Sequence, residues 1–173
     1  MDTERFINTL EETWAVEKRK GQQNTPSILG YSLFNIADLP EKYLEFLSVC
    51  QKVQSPSDNA WFLMLEDFAR ETDTCFRWNE FEMLSQEAAL DLRDSERIRM
   101  FWNQHLPILM SVKDGYSFIA LKISKDFDYH IVVGREPDFE DTYDLCHSIE
   151  NFFSIFSGHI KGQDINPLLE PMI

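Results

Sequence analysis

The sequence predicts an α+β fold: a single domain with a central antiparallel β-meander bracketed by N-terminal and C-terminal helices. Three observations predict it. Near the start, Phe6, Leu10 and Trp14 recur at every fourth position, which is one face of a helix. In the second half, two apolar runs flank Asp114-Gly115 and a third follows at once, the pattern of a strand hairpin extended by a further strand. Towards the end, Leu145, Ile149, Phe152, Phe153 and Phe156 return to helical spacing. Helices on either side of a meander make an α+β arrangement. A chain of 173 residues has the usual length of one domain, and 14 Phe and 4 Trp supply material for one core.

The elements follow in order. The first helix is predicted over 3–20, its outer face solvated by Glu11, Glu12, Glu17 and Lys18. Gly21 and a polar stretch end it, and 28–36 reads as a short extended piece. Asp38, Pro40 and Glu41 form a helix-start signal, since Asp38 can accept from first-turn amides and Glu41 lies three residues on. The spacing of Leu39, Tyr43, Phe46, Leu47 and Cys50 then predicts a helix over 39–53. A Ser/Pro loop at 55–59 precedes 60–65, a buried strand or a buried helical turn. The stretch 79–104 lacks Gly and Pro and reads as helix, broken near Asp94-Ser95.

Strands are predicted over 106–113 and 116–123, joined by a two-residue turn at Asp114-Gly115. A second turn at 124–128 leads to a strand at 129–133, and an acidic connector occupies 136–141. The last helix is expected over 144–156, with Gly158 in the left-handed position just past its end. The remaining tail, 157–173, carries two prolines and no periodicity.

Charge narrows the partners. Asp and Glu number 30 against 16 Lys and Arg, a formal net charge of −14. Such a surface repels phosphate backbones, so nucleic acid is not an expected partner. It attracts basic proteins and speeds their encounter. Hydrophobic residues at 43% exclude the low-hydrophobicity, high-charge composition of disordered chains. The charged start, Met1-Asp2-Thr3-Glu4-Arg5, leads into no apolar run, so no secretory leader is expected. No stretch approaches the roughly 18 apolar residues of a membrane span, so no membrane association is expected. Cys50, Cys75 and Cys146 are odd in number and widely separated, which reads as reduced thiols. A cytoplasmic location is the expectation.

Three pieces carry a family resemblance. Leu39-Pro40-Glu41-Lys42-Tyr43-Leu44-Glu45-Phe46-Leu47 looks like an LP-x-x-Y-x-x-F-L helix. Leu106-Pro107-Ile108, Asp114-Gly115 and Phe118-Ile119-Ala120-Leu121-Lys122-Ile123 look like a central hairpin. Ile131-Val132-Val133, the acidic connector and Ser148-Ile149-Glu150-Asn151-Phe152-Phe153 look like a closing strand and an S-F-E-E-F-L helix. In this order they resemble the SUKH superfamily, the Smi/Knr-type domain shared by yeast cell-wall-synthesis regulators and many bacterial immunity proteins. The resemblance spans 1–156 and includes a helical insert at 67–103. It implies a non-enzymatic protein-binding domain, most often a cytoplasmic immunity protein that neutralises a cognate toxin. A basic, nuclease-type toxin would suit the charge. The yeast-type members imply a regulatory scaffold instead, and a small-molecule-binding protein is a third reading.

No residue pattern calls for a catalytic centre, a cofactor or a metal. The sequence has no Walker-type phosphate loop, no His-Glu-x-x-His and no Gly-x-Ser-x-Gly elbow. His105, His130, His147 and His159 do not group with cysteines at ligand spacing. Cys146 and His147 are adjacent, which on the expected helix sets them about 100° apart and makes Cys146 a buried helix-face thiol. Asp126 and Asp128 fall in one turn, and Glu136, Asp138, Glu140, Asp141 and Asp144 follow the next strand. Their spacing is not that of a calcium loop. The expected role is a partner-binding acidic patch, in one or two parts, with Phe139 and Tyr143 as aromatic anchors ringed by charge. The competing reading tucks both rings into the core. Trp61-Phe62, Phe76-Arg77-Trp78 and Phe81 either line a groove or join the core.

Overall fold

The structure is a computed structural model that describes residues 1–20, 39–69, 77–123 and 129–173. In chain order these form α1 (Thr3–Thr13), β1 (Ala15–Lys18), α2 (Glu41–Val49), β2 (Cys50–Gln54), β3 (Ala60–Phe62) and α3 (Leu65–Ala69). Then come α4 (Glu80–Ala88), α5 (Leu92–Trp102), β4 (His105–Ser111), β5 (Ser117–Ile123), β6 (Tyr129–Arg135), β7 (Tyr143–Cys146) and α6 (Ile149–Ile160). The seven strands make one antiparallel sheet in the order β1-β2-β3-β4-β5-β6-β7. The fold is α+β, with helices at both ends of the chain, and the expected three-stranded meander is the β4–β6 part of a longer one.

Pleating decides which side chains meet which helices. Consecutive residues of a strand face opposite sides of the sheet. Register sets Phe62, Leu109, Ile119 and Val133 in one row, and Trp61, Met110, Phe118 and Gly134 in the next. On the first face, Phe62 meets Phe6 of α1, Phe46 of α2, and Phe152 and Phe156 of α6. Phe6 stacks on Phe153 at 4.0 Å between ring centres. On the second face, Phe118 meets Phe81 of α4, Trp102 of α5 and Phe139 of the connector. Every residue of β4 is buried because both faces are covered.

Several elements depart from the helical and turn periods. Helix α1, capped by Asp2, stops at Thr13, and Ala15–Lys18 pairs with β2 instead of continuing it. Trp14 turns inward between Phe62 and Phe156, so the chain leaves the helix where its largest apolar side chain is buried. Helix α2 likewise gives way at Cys50 to a strand, and its expected cap residue Asp38 lies outside the described residues, as do 28–36 and the turn 124–128. Arg19 closes the junction, donating to the carbonyls of Leu47 and Cys50 and pairing with the Glu66 carboxylate. The run 60–65 divides between β3 and the start of α3.

The Asp114-Gly115 turn is longer than two residues, because the last register pair is Ser111 with Ser117. Gly115 alone takes the left-handed conformation there, at φ +83°. The end of the chain fixes this loop. Lys113 Nζ donates to the carbonyls of Glu170 and Ile173, and Ser111 Oγ to that of Met172. Leu169 and Met172 are buried, so the expected tail is a packed part of the core.

The predicted final helix starts late. Tyr143–Cys146 is strand, Ser148 caps α6, and Cys146 is a buried strand thiol rather than a helical one. The helix also runs through Gly158, and the left-handed glycine is Gly162, at φ +65°. At Gly158 the returning chain passes close: a Cβ there would lie 3.3 Å from Asp164.

Candidate functional site

The acidic connector between β6 and β7 is fixed at three points. Glu136 N–H donates to the Tyr116 carbonyl at 2.9 Å, continuing the β5–β6 ladder. Phe139 turns inward and stacks on Phe81 at 4.8 Å, leaving it 6% exposed. Glu140 Oε1 accepts from the indole N–H of Trp102 at 3.0 Å. Asp141 N–H closes a turn on the Asp138 carbonyl. The carboxylates of Glu136, Asp138 and Asp141 are therefore left outside on a backbone that is held.

Gly134 makes this geometry possible. It lies opposite Phe118 in the register, and the Phe118 ring covers it where a side chain would stand. A Cβ would collide with that ring and lie 3.0 Å from the Phe139 carbonyl. Gly115 serves the other side, since the Glu136 carboxylate occupies the space above it.

Facing the connector is the turn between α4 and α5. The expected long helix breaks at 89–91, shortly before Asp94-Ser95, and the second piece is capped by Asp91. The Asp91 side chain accepts from the Asp94 amide at 2.8 Å and so starts a new helix. The turn leaves Leu90 92% and Leu92 90% exposed, and Met100 further along α5 is 59% exposed. Asp94 is held below the usual carboxylate range, chiefly by the Arg97 guanidinium and also by the Leu90 amide. The fields of Glu140 and Asp138 add to Asp94 in holding the Arg97 cation.

Between these two walls runs an open groove of about 1290 Å³. Apolar surface comes from Leu84, Leu90, Met100 and Tyr116, among others. Six carboxylates line it, those of Asp91, Asp94, Glu96, Glu136, Asp138 and Glu140, against the two guanidiniums of Arg93 and Arg97. Chemically the groove can receive cations and apolar groups together. Among the described residues no group of His, Cys, Asp and Glu is arranged to hold a metal ion. No helix of the described residues is long and apolar enough to cross a membrane.

No protein family, no curated protein and no solved structure matches the chain.

The structure divides the nine residues that the sequence grouped. Glu136, Asp138 and Glu140 line the groove, and Asp141 stands beside it. Asp126 and Asp128 lie outside the described residues. Phe139 is not an exposed anchor: it is the apolar pin that seats the connector on Phe81 and Phe118. Tyr143 is 48% exposed with the Arg135 guanidinium 5.5 Å above its ring. It lies opposite Val133 on the strand, whereas Asp144 lies opposite Val132, so the two side chains leave opposite faces of the sheet. Asp144 instead approaches His130, whose ring packs edge-on against His147.

Trp78 and Phe81 are buried and Phe76 lies outside the described residues, so in that cluster the core reading holds for the rings described. The α4–α5 wall forms no part of the acidic patch expected from the sequence. Asp91 followed three residues later by Asp94 was the available signal, a fresh helix start that strands Leu90 and Leu92 at a turn.

Proposed function

We propose that this chain is a non-enzymatic protein-binding domain, an immunity protein that binds and neutralises a basic, nuclease-type toxin in the cytoplasm. One observation carries the reading: a fixed acidic connector forms the rim of an open groove whose other wall exposes leucine and methionine. The resemblance of the chain's motifs to the Smi/Knr-type domain supports the antidote class. The net charge of −14 supports a basic partner.

The mechanism is occlusion. The acidic face raises the encounter rate with a basic surface, and the effect weakens as salt screens it beyond about 8–10 Å. The few desolvated apolar side chains then set the lifetime of the complex. Because Phe139 and Glu140 already fix the connector, little loop ordering is left to oppose binding. A nuclease whose own site receives polyanions would have that site covered by carboxylates that cannot react.

The test is capture of partners on the tagged chain from its native lysate, washed at low and then high salt, with partners identified by mass spectrometry. One stoichiometric basic protein whose activity the chain inhibits is the expected result. Its association should slow strongly when Glu136→Lys, Asp138→Lys and Asp141→Lys are combined, and more so as salt falls. Glu140 is left in place because it holds Trp102. Several substoichiometric regulatory proteins would replace the antidote with a scaffold. An association rate unchanged by the triple substitution at low salt would overturn the acidic-face mechanism.

A further inference from the structure

We infer that the groove between the α4–α5 turn and the connector takes a basic amphipathic segment of the partner, its apolar side chains on Leu90 and Met100 and its lysines or arginines along Glu136 and Asp138. This rests on the basic-partner reading and adds which part of that partner is recognised, and where. Three observations carry it.

Charge comes first. The groove sets six carboxylates against two guanidiniums. Of the two, Arg97 is already paired with Asp94 and lies in the fields of Glu140 and Asp138. An anionic occupant is excluded by repulsion, and so is a second copy of this chain, which would bring another −14 to an acidic face.

Apolar exposure comes second. Leu90 and Met100, both lining the groove, stand largely in water at one turn and the helix after it. A purely polar cation would leave them there. An occupant that combines cationic and apolar side chains satisfies both walls.

Size is the third. At about 1290 Å³ the groove exceeds the ~300–1,000 Å³ typical of small-molecule clefts, and it is partly open to solvent.

The test uses a labelled synthetic peptide of leucine and lysine at helical spacing, read by fluorescence anisotropy against the full chain. Two control peptides carry glutamate for lysine or serine for leucine. Leu90→Ser combined with Met100→Ser should weaken the leucine–lysine peptide about tenfold, and Glu136→Gln combined with Asp138→Asn should do the same. All four side chains reach solvent, so thermal melts should stay near those of the parent. Both control peptides should bind at least about tenfold more weakly than the leucine–lysine peptide.

Equal affinity of the parent and the Leu90/Met100 variant, or of the leucine and serine peptides, would overturn the groove and leave only diffuse attraction. Should the captured partner lose association rate on connector reversal while its affinity ignores Leu90→Ser and Met100→Ser, the groove occupant falls and the basic-partner reading stands. A captured partner indifferent to both sets of substitutions overturns both.

Discussion

The two faces of the sheet are packed to different ends. On the α1, α2 and α6 face, aromatic rings from all three helices and β3 interlock, with Phe6 in contact with Phe46, Phe62, Phe152, Phe153 and Phe156. On the α4–α5 face a smaller cluster, Phe81, Trp102, Phe118 and Phe139, is covered by two amphipathic helices and a loop. That cover leaves a groove, and its large apolar side chains at 90, 92 and 100 stand outside. The first face spends its aromatics on stability. The second uses just enough to fix a surface, and leaves the rest exposed.

Substitutions should separate the two faces in order of size. The largest loss is expected at Phe153→Ala, fully buried in the stacked cluster: about 3–5 kcal/mol of unfolding free energy, measured by urea titration. A value near that of an exposed site would mean that the first face is not the stabilising one.

Acid should follow. Burial lowers the pKa of His105 from 6.5 to about 4, against the smaller opposite effect of its bond to the Phe101 carbonyl. The unfolded chain therefore binds the proton first. The stabilisation is complete above about pH 6.5 and is lost as pH falls towards 4, on the order of 3 kcal/mol. His105→Gln should flatten that part of the stability–pH profile. A slope that persists would assign it to other groups.

Two changes of middle size sharpen the comparison on the second face. Gly134→Ala should cost about 1–3 kcal/mol, because either the Phe118 ring or the Phe139 carbonyl must move. Glu140→Ala should cost about 1–3 kcal/mol by leaving the buried Trp102 N–H unpaired, and Glu140→Gln, which keeps an acceptor oxygen, should restore most of it. The smallest effect belongs to Leu92→Ser, within about 0.5 kcal/mol in thermal melts despite the loss of a leucine. A large loss there would show that the turn is structural rather than held open for contact.

The same contrast explains what the sequence made legible. Local periodicity located Phe6, Leu10, Phe152, Phe153 and Phe156 correctly, because a helix on a sheet face keeps its apolar stripe. It missed β1, β2 and β7, short edge-side strands whose residues pair only because the meander is already there. The connector was legible as an acidic loop, but the direction of Phe139 was not: that is set by Gly134 and by Phe81, which is distant in sequence. The opposite wall was hidden for a different reason. A run without Gly or Pro places a break near Asp94-Ser95 only loosely, whereas the cap at Asp91 sets it earlier and leaves Leu90 and Leu92 outside.

The most direct test of the account is hydrogen–deuterium exchange of the full chain with and without the leucine–lysine peptide. Slowed exchange over 84–100 and 136–141, with α1, α2 and α6 unchanged, is the predicted result. Protection centred on the α1–α6 face or on β1, with the α4–α5 turn unaffected, would contradict it.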